Sequence, residues 1–185
     1  DPAGWKPHSQ AYLPLQVADR FDKFWGAKIL MRFTRAQLRA AVEVGQLSDP
    51  RATDYLVDTL VARQRLTAQH WFRQVNPLDA FAVERVTKGH ALCFVDLALR
   101  YQLASAVATR YRLRRYDRDG RLLADDAFLA ATERTCPPAI LPEAGDGYTI
   151  LELTTMRPGF SGSTLVHLAR DPVSREPRVI GVWRP

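Results

Sequence analysis

The chain has 185 residues, of which 46% are hydrophobic and 25% charged, as in ordinary globular proteins. This composition excludes a disordered or collagen-like chain, and no apolar run approaches the roughly 20 residues that span a bilayer. The net charge is +6, but it is spread evenly: 11 Lys and Arg stand against 8 Asp and Glu in residues 1–80, and 15 against 12 in residues 81–185. A nucleic-acid-binding face concentrates its positive charge, so this distribution argues against a nucleic-acid partner.

The first part of the chain, residues 18–76, shows the apolar spacing of amphipathic helices. Asp19 is a suitable N-cap for a first helix. Thr34 and Gln37 have the spacing of a capping box, in which each side chain satisfies a free backbone N–H at the start of a second helix. Gly45 then predicts a left-handed stop at its C-terminal end.

A third helix is predicted to begin at Ser48-Asp49-Pro50, a polar cap followed by proline at the first helical position. Its apolar positions continue for about 25 residues to Val75, and Asn76-Pro77 ends it. Three amphipathic helices with short connections predict an antiparallel helical unit. We therefore expect a helical segment in residues 1–80.

After Asn76 the apolar spacing changes to the alternation of β-strands. Asp117–Gly120 has the composition of a hairpin turn. Short strands with Gly and Pro between them favour an antiparallel β-sandwich of the immunoglobulin or fibronectin kind in residues 81–185, and an α+β chain overall. The clearest predicted strands are 148–155, 164–168 and 178–183, together with a strand in which Tyr111 and Leu113 alternate with arginines.

Three segments resemble, in order, the His, Asp and Ser segments of chymotrypsin-like proteases. The residues concerned are His70, Asp96 and Ser161, which would act as base, orienting carboxylate and nucleophile. However, His70 falls inside the strongest predicted helix. The segment between His70 and Asp96 is also too short to contain the strands that separate these residues in chymotrypsin-like proteases. A serine hydrolase is therefore the alternative function, and the main interpretation assigns no catalytic residue.

The densest run of positive charge contains Arg110, Arg112 and Arg114, which share one face of a predicted strand. Such a face could bind a polyanion by several simultaneous contacts, which makes polyanion binding the second alternative function. The simpler interpretation is a solvated strand face.

The sequence contains no recognisable metal or cofactor motif. The four histidines are scattered, no Gly-rich phosphate loop is present, and Cys93 and Cys136 do not have the spacing of a zinc site. We therefore predict no metal and no cofactor. The two cysteines either form a disulfide, if the protein is exported, or remain two separate buried thiols.

Several segments together resemble one bacterial protein family. They resemble the C-terminal portion of apparently exported bacterial proteins of unknown function, whose larger N-terminal part is similar to an atypical kinase fold. The segments that carry this resemblance are Trp5-Lys6-Pro7, residues 24–29, residues 45–50, Tyr55-Leu56 with Arg63, residues 75–79 and residues 179–184.

The resemblance implies a helical segment and a β-sandwich appended to a preceding domain, and it assigns no catalytic residue to this chain. The start at Asp1-Pro2 favours a processed or excised piece. We therefore expect a non-catalytic accessory or interaction module, located in the cell envelope or outside the cell. Its partner would be a neighbouring domain of the same parent chain, docked on an exposed apolar patch of residues 19–45.

Overall fold

The computed structural model describes residues 1–4, 13–87, 89–139 and 147–185. The described chain is α+β, as predicted. It divides into two compact units, residues 1–75 and 76–185. The sequence-based boundary lies later, at residue 80, whereas the first strand of the second unit begins at Leu78.

The first unit consists of helices within its described residues. Their bounds are α1 Leu13–Val17, α2 Arg20–Leu30, α3 Arg35–Glu43 and α4 Pro50–Trp71. The predicted helix starts are confirmed. Asp19 accepts hydrogen bonds from two backbone N–H groups of α2, Thr34 and Gln37 form the capping box of α3, and Asp49 caps α4 with proline at its first position. The short helix α1 was not predicted.

Two predicted helix ends are wrong. The left-handed residue after α3 is Gln46, with φ 48°, rather than Gly45. The N–H of Gly45 instead bonds the carbonyl of Val42 in a tightened last turn, so the reversal falls one residue later. Helix α4 ends at Trp71, and the predicted extension to Val75 is a series of turns.

Helices α2 and α3 each pack against α4. The rings of Phe24 and Phe72 meet edge to face with their centroids 5.5 Å apart. The buried amide of Gln64 donates to the carbonyls of Leu30 and Phe33, at 2.6 and 2.9 Å. These carbonyls belong to the end of α2 and the turn after it, so the amide satisfies acceptors that have no partner inside the helix.

The second unit contains two antiparallel sheets within its described residues. In the smaller sheet β2 is flanked by β1 on one side and by the short strands β5 and β6 on the other. The larger sheet has the order β4-β3-β7-β8-β9, and a short helix α5 follows β2. The bounds are β1 Leu78–Val86, β2 Gly89–Asp96, α5 Leu97–Arg100, β3 Arg110–Tyr116, β4 Leu122–Leu129, β5 Arg134–Thr135, β6 Pro138–Ala139, β7 Thr149–Arg157, β8 Phe160–Arg170 and β9 Pro177–Trp183.

The core of this unit is a single apolar cluster to which both sheets contribute. Tyr111 and Leu113 of β3 are fully buried, and the ring of Tyr111 meets that of Phe94 edge to face with centroids 5.3 Å apart. Each fully buried leucine contributes about 1.5–3 kcal/mol to folding. The other members are Leu78 and Leu92 from the smaller sheet and Leu151, Leu153, Val166 and Leu168 from the larger one, with Ala130.

The predicted strands of the larger sheet are confirmed, although several are longer than expected. The hairpin at Asp117–Gly120 joins β3 to β4, and Gly120 takes the left-handed φ of 77° that the turn requires.

Cys93 and Cys136 form a disulfide, which decides between the two states that the sequence left open. Their Cα atoms are 4.0 Å apart. Cys93 lies in β2, and Cys136 lies between β5 and β6, which both pair with β2. The disulfide therefore joins the strands at the point where Pro137 interrupts the neighbouring ladder.

Candidate functional site

A buried charged cluster lies at the end of β2, around Asp96. This carboxylate is fully buried and follows a strand of apolar residues. Its Oδ1 atom accepts hydrogen bonds from the backbone N–H groups of Ala98 and Leu99, at 3.0 and 3.4 Å, and so caps helix α5.

The second oxygen of the same carboxylate binds two side chains of the larger sheet. Asp96 Oδ2 accepts a hydrogen bond from the Tyr111 hydroxyl at 2.8 Å and pairs with the guanidinium of Arg157. The Arg157 side chain is 7% exposed, so both charges of this pair lie away from bulk water. We call Asp96, Tyr111 and Arg157 the Asp96 cluster.

Burial, and secondarily the charge of Asp96, raise the pKa of the Tyr111 phenol. The phenol therefore remains a hydrogen-bond donor at every ordinary pH. Four donors occupy Asp96, so the carboxylate is held in place and its charge is balanced by Arg157. This arrangement suits a structural connection between β2, β3 and β7.

Asn76 forms a second buried polar contact with the larger sheet. Its Nδ2 atom donates to the Leu153 carbonyl at 3.3 Å and to Thr164 Oγ1 at 3.0 Å. Among the described residues, some buried polar atoms of this region have no hydrogen-bond partner. They are Asn76 Oδ1, Thr155 Oγ1, and Nε and Nη1 of Arg157.

The residues of the serine hydrolase alternative are distributed over both units. His70 lies in α4 of the first unit, where its ring packs against that of Trp71. Asp96 and Ser161 lie in the second unit. Ser161 is exposed and is the second residue of β8, opposite Met156 of β7 and after the turn at Gly159. The hydrogen-bond partners of the Asp96 side chain include Tyr111 and Arg157. The serine hydrolase alternative remains a prediction.

The residues of the polyanion alternative lie on one face of β3, as predicted, but carboxylates accompany them. Arg112 makes two hydrogen bonds to Asp125 of β4, at 2.7 and 2.5 Å. Arg114 approaches both Asp125, at 3.6 Å, and Glu152 of β7, at 3.3 Å. The bonds from Arg112 hold the pKa of the Asp125 carboxyl below its ordinary value. The face therefore carries alternating charges, which weakens its attraction for a polyanion.

The third arginine of this face, Arg110, borders a shallow groove of about 310 Å³. Ala127 and Leu129 of β4 and Met156 of β7 supply apolar walls beside the cation. The neighbouring Arg115 points the other way: its side chain is 6% exposed and pairs with Asp126 at 2.7 Å. Sequence reasoning did not identify Arg115 or Arg157 as buried charges.

One group of side chains would offer three ligand atoms to a metal ion if the Cys93–Cys136 disulfide were reduced. Glu84, Cys93 and Cys136 each offer one atom, and these atoms all lie within 4.8 Å of one another. Glu84 also pairs with Arg134 through its Oε1 atom. No sequence motif marks this group, because Glu84, Cys93 and Cys136 are far apart in the chain.

Comparison of the chain with protein-family models, curated proteins and solved structures finds no match. The family resemblance therefore remains a prediction, and its Trp5-Lys6-Pro7 segment lies outside the described residues. Of the helices in the described residues, none combines the length and the apolar character that crossing a membrane requires.

Proposed function

We propose that this chain is a non-catalytic interaction module of a larger bacterial protein, made of a helical unit and a β-sandwich. Its partner is a neighbouring domain of the same parent chain, as the family resemblance implies. The observation that carries the proposal is the exposed aromatic face of α2, within the predicted patch of residues 19–45. On this face Phe21 is 37% exposed and Trp25 is 63% exposed.

Phe21 and Trp25 are four residues apart, so they lie one above the other on the same side of α2. Tryptophan is among the residues that contribute most to protein interfaces, because burying it removes a large apolar area from water. Contact of these rings with water is unfavourable in the isolated chain, and a docked neighbouring domain would remove that contact. We call these two side chains the α2 aromatic face.

Charge around the α2 aromatic face indicates the kind of surface that would dock there. Helix α2 carries three cations and one carboxylate, Asp22. Arg20 lies over the Phe21 ring, with its guanidinium carbon 4.8 Å from the centroid. The complementary surface is therefore an apolar pocket with acidic side chains at its rim.

The β-sandwich in this proposal is supported by the composition of the core. Leu92 and Phe94 of the smaller sheet belong to the same buried cluster as Leu113, Leu151 and Val166 of the larger sheet. Two sheets that share one apolar core are the defining arrangement of a sandwich. The Asp96 cluster adds a polar connection between them at one end.

The disulfide supports the proposed location in the cell envelope or outside the cell. Disulfides such as Cys93–Cys136 persist in oxidising compartments and are rare in the reducing cytosol.

The non-catalytic assignment is supported by the Asp96 cluster, since the one fully buried carboxylate among the described residues is occupied by structural donors.

The test is oxidative footprinting of tryptophans in this chain and in the longer parent protein. Trp25 should react at least several-fold more slowly in the parent, because the neighbouring domain covers it. Trp183, which is 59% exposed in the second unit, is the matched control and should react equally in both. Equal reactivity of Trp25 in the two proteins would exclude docking at the α2 aromatic face.

A Trp25→Ser variant of the parent provides the second measurement. It should loosen the neighbouring domain, seen as several-fold faster proteolysis between the domains, while leaving the helical circular dichroism signal intact. Tyr55→Ser, which removes an exposed aromatic side chain of α4 outside residues 19–45, is the control variant.

A further inference from the structure

The disulfide and a neighbouring carboxylate occupy one face of the smaller sheet. Cys93 pairs with Ala82 and Glu84 pairs with Ala91, so Glu84 and Cys93 are diagonal neighbours across the β1–β2 hairpin. Cys136 approaches Cys93 from the opposite side, between the two short strands that pair with β2. Two of the three side chains are therefore carried by paired strands, and Cys136 is held between two pairing points.

The distances suit a small cation. The three ligand atoms lie within 4.8 Å of one another. Around a tetrahedral zinc ion, sulfur atoms at about 2.3 Å and oxygen at about 2.0 Å from the metal lie roughly 3.5–3.8 Å apart. Breaking the bond between the two sulfurs frees both cysteine side chains to rotate toward this geometry.

We propose that reduction of the Cys93–Cys136 disulfide creates a binding site for a thiophilic divalent cation, with the two thiolates and Glu84 as ligands. Zinc(II) is the representative ion, because it combines thiolate and carboxylate ligands. The fourth position faces solvent, since Cys136 is exposed and the Glu84 side chain is 45% exposed. Water would fill it.

The chemistry has two balanced steps. A dithiol reductant gives two electrons and two protons to the disulfide, which becomes two thiols while the reductant becomes a disulfide. The metal ion then displaces both thiol protons to solvent and binds the resulting thiolates. A disulfide oxidant takes two electrons from the thiolates and two protons from solvent and becomes a dithiol, while the Cys93–Cys136 bond forms again and the ion is released. The disulfide and the metal site therefore exclude each other.

Arg134 would act as a positioning residue for the carboxylate ligand. It pairs with Oε1 of Glu84, and the Oε2 atom can then bind the metal. Hydrogen bonds of this kind orient a ligand and hold it against the ion. The guanidinium also balances the charge of a site in which three anionic ligands surround a divalent cation.

The experiment uses the full chain, reduced with a dithiol, freed of the reductant without air, and titrated with zinc(II) against a chromophoric chelator. The reduced protein should bind one equivalent, and the oxidised protein none. Glu84→Gln should weaken binding at least about 10-fold, since losing a ligand costs no less than losing a hydrogen-bond partner of a ligand. Glu133→Gln is the matched control: its carboxylate is also 45% exposed and pairs with Arg100, and the affinity should not change. Cobalt(II) should give thiolate charge-transfer absorption in the reduced protein.

A reduced chain that unfolds still tests the site. Zinc(II) should then restore cooperative thermal unfolding and should do so less effectively in the Glu84→Gln variant, because metal binding is coupled to folding. The proposal fails if oxidised and reduced protein bind zinc equally, or if Glu84→Gln binds as tightly as the unaltered chain. It also fails if zinc does not refold a reduced chain that has unfolded.

Discussion

Asp96 and Arg157 form an ion pair inside the second unit, although 61 residues separate them in the chain. Water reaches neither charge to a useful extent, because the carboxylate is fully buried and the arginine side chain is 7% exposed. The pair connects the end of β2 to the end of β7, and Tyr111 connects β3 to the same carboxylate.

Replacing Asp96 by asparagine should destabilise the second unit strongly. The buried Arg157 would lose its counter-charge, and breaking a buried pair in this way typically costs about 3–5 kcal/mol. Urea unfolding followed by circular dichroism measures the loss. The double change Asp96→Asn with Arg157→Met should recover part of it, because the unpaired cation is gone. Asp125→Asn, in an exposed pair, should change the midpoint little. A stable Asp96→Asn protein would show that the pair is unimportant.

Tyr111 should resist alkaline titration in the folded protein. Burial and the charge of Asp96 raise the pKa of its phenol. The unfolded chain loses this proton near pH 10 and the folded chain keeps it, so the associated stability is present below pH 10 and is lost as pH rises further. Ultraviolet difference spectra should show one tyrosine that ionises only on unfolding. In Tyr111→Phe this tyrosine should disappear, and stability at neutral pH should fall by about 1–3 kcal/mol.

Glu176 should make stability depend on pH in the acidic range. It accepts from His90 at 2.9 Å and Arg85 at 2.5 Å, and the contact with His90 contributes most to lowering its pKa below 4.5. A lowered pKa gives stability that is present above about pH 4.5 and lost as pH falls through the folded-state value. Thermal unfolding should show a lower Tm for Glu176→Gln than for the unaltered protein at pH 7. The two curves should converge as pH falls below the folded-state pKa of Glu176, and a difference that stays constant down to acid unfolding would contradict the prediction.

Removing the disulfide should lower the free energy of unfolding by about 4 kcal/mol, because the bond closes a loop of 43 residues in the unfolded chain. Urea unfolding with and without a dithiol measures this change. The double variant with alanine at Cys93 and Cys136 should match the reduced protein and should not respond to the dithiol. A reductant effect that persists in this variant would have another origin.

The starts of the helices could be predicted because their signals are local. Asp19 and Thr34 each accept a hydrogen bond from a backbone N–H three residues later, so the residues that form each cap are close together in the sequence. Ends are less specific. Gly45 predicted the left-handed residue at the end of α3. Its N–H bonds the Val42 carbonyl in the last turn instead, and the left-handed residue is Gln46.

The buried charges could not be predicted in the same way. Arg115 belongs to a basic run, yet alternation along β3 places it on the inner face with Tyr111 and Leu113. The sequence singled out Asp96 only as the orienting carboxylate of a hydrolase, whereas its partner in the structure, Arg157, comes from a distant strand. Only the register of the folded sheets brings such residues together, and no short pattern encodes that register.

The buried amide of Asn76 has a practical consequence for dissecting this protein. A fragment cut at the sequence-based boundary would begin at residue 81 and would omit the bonds from Asn76 to Leu153 and Thr164. It would also discard Leu78, a fully buried member of the core. A fragment that contains only the second unit should therefore begin at or before Asn76. The later start leaves a cavity in the core in place of Leu78 and removes the Asn76 donor from two acceptors.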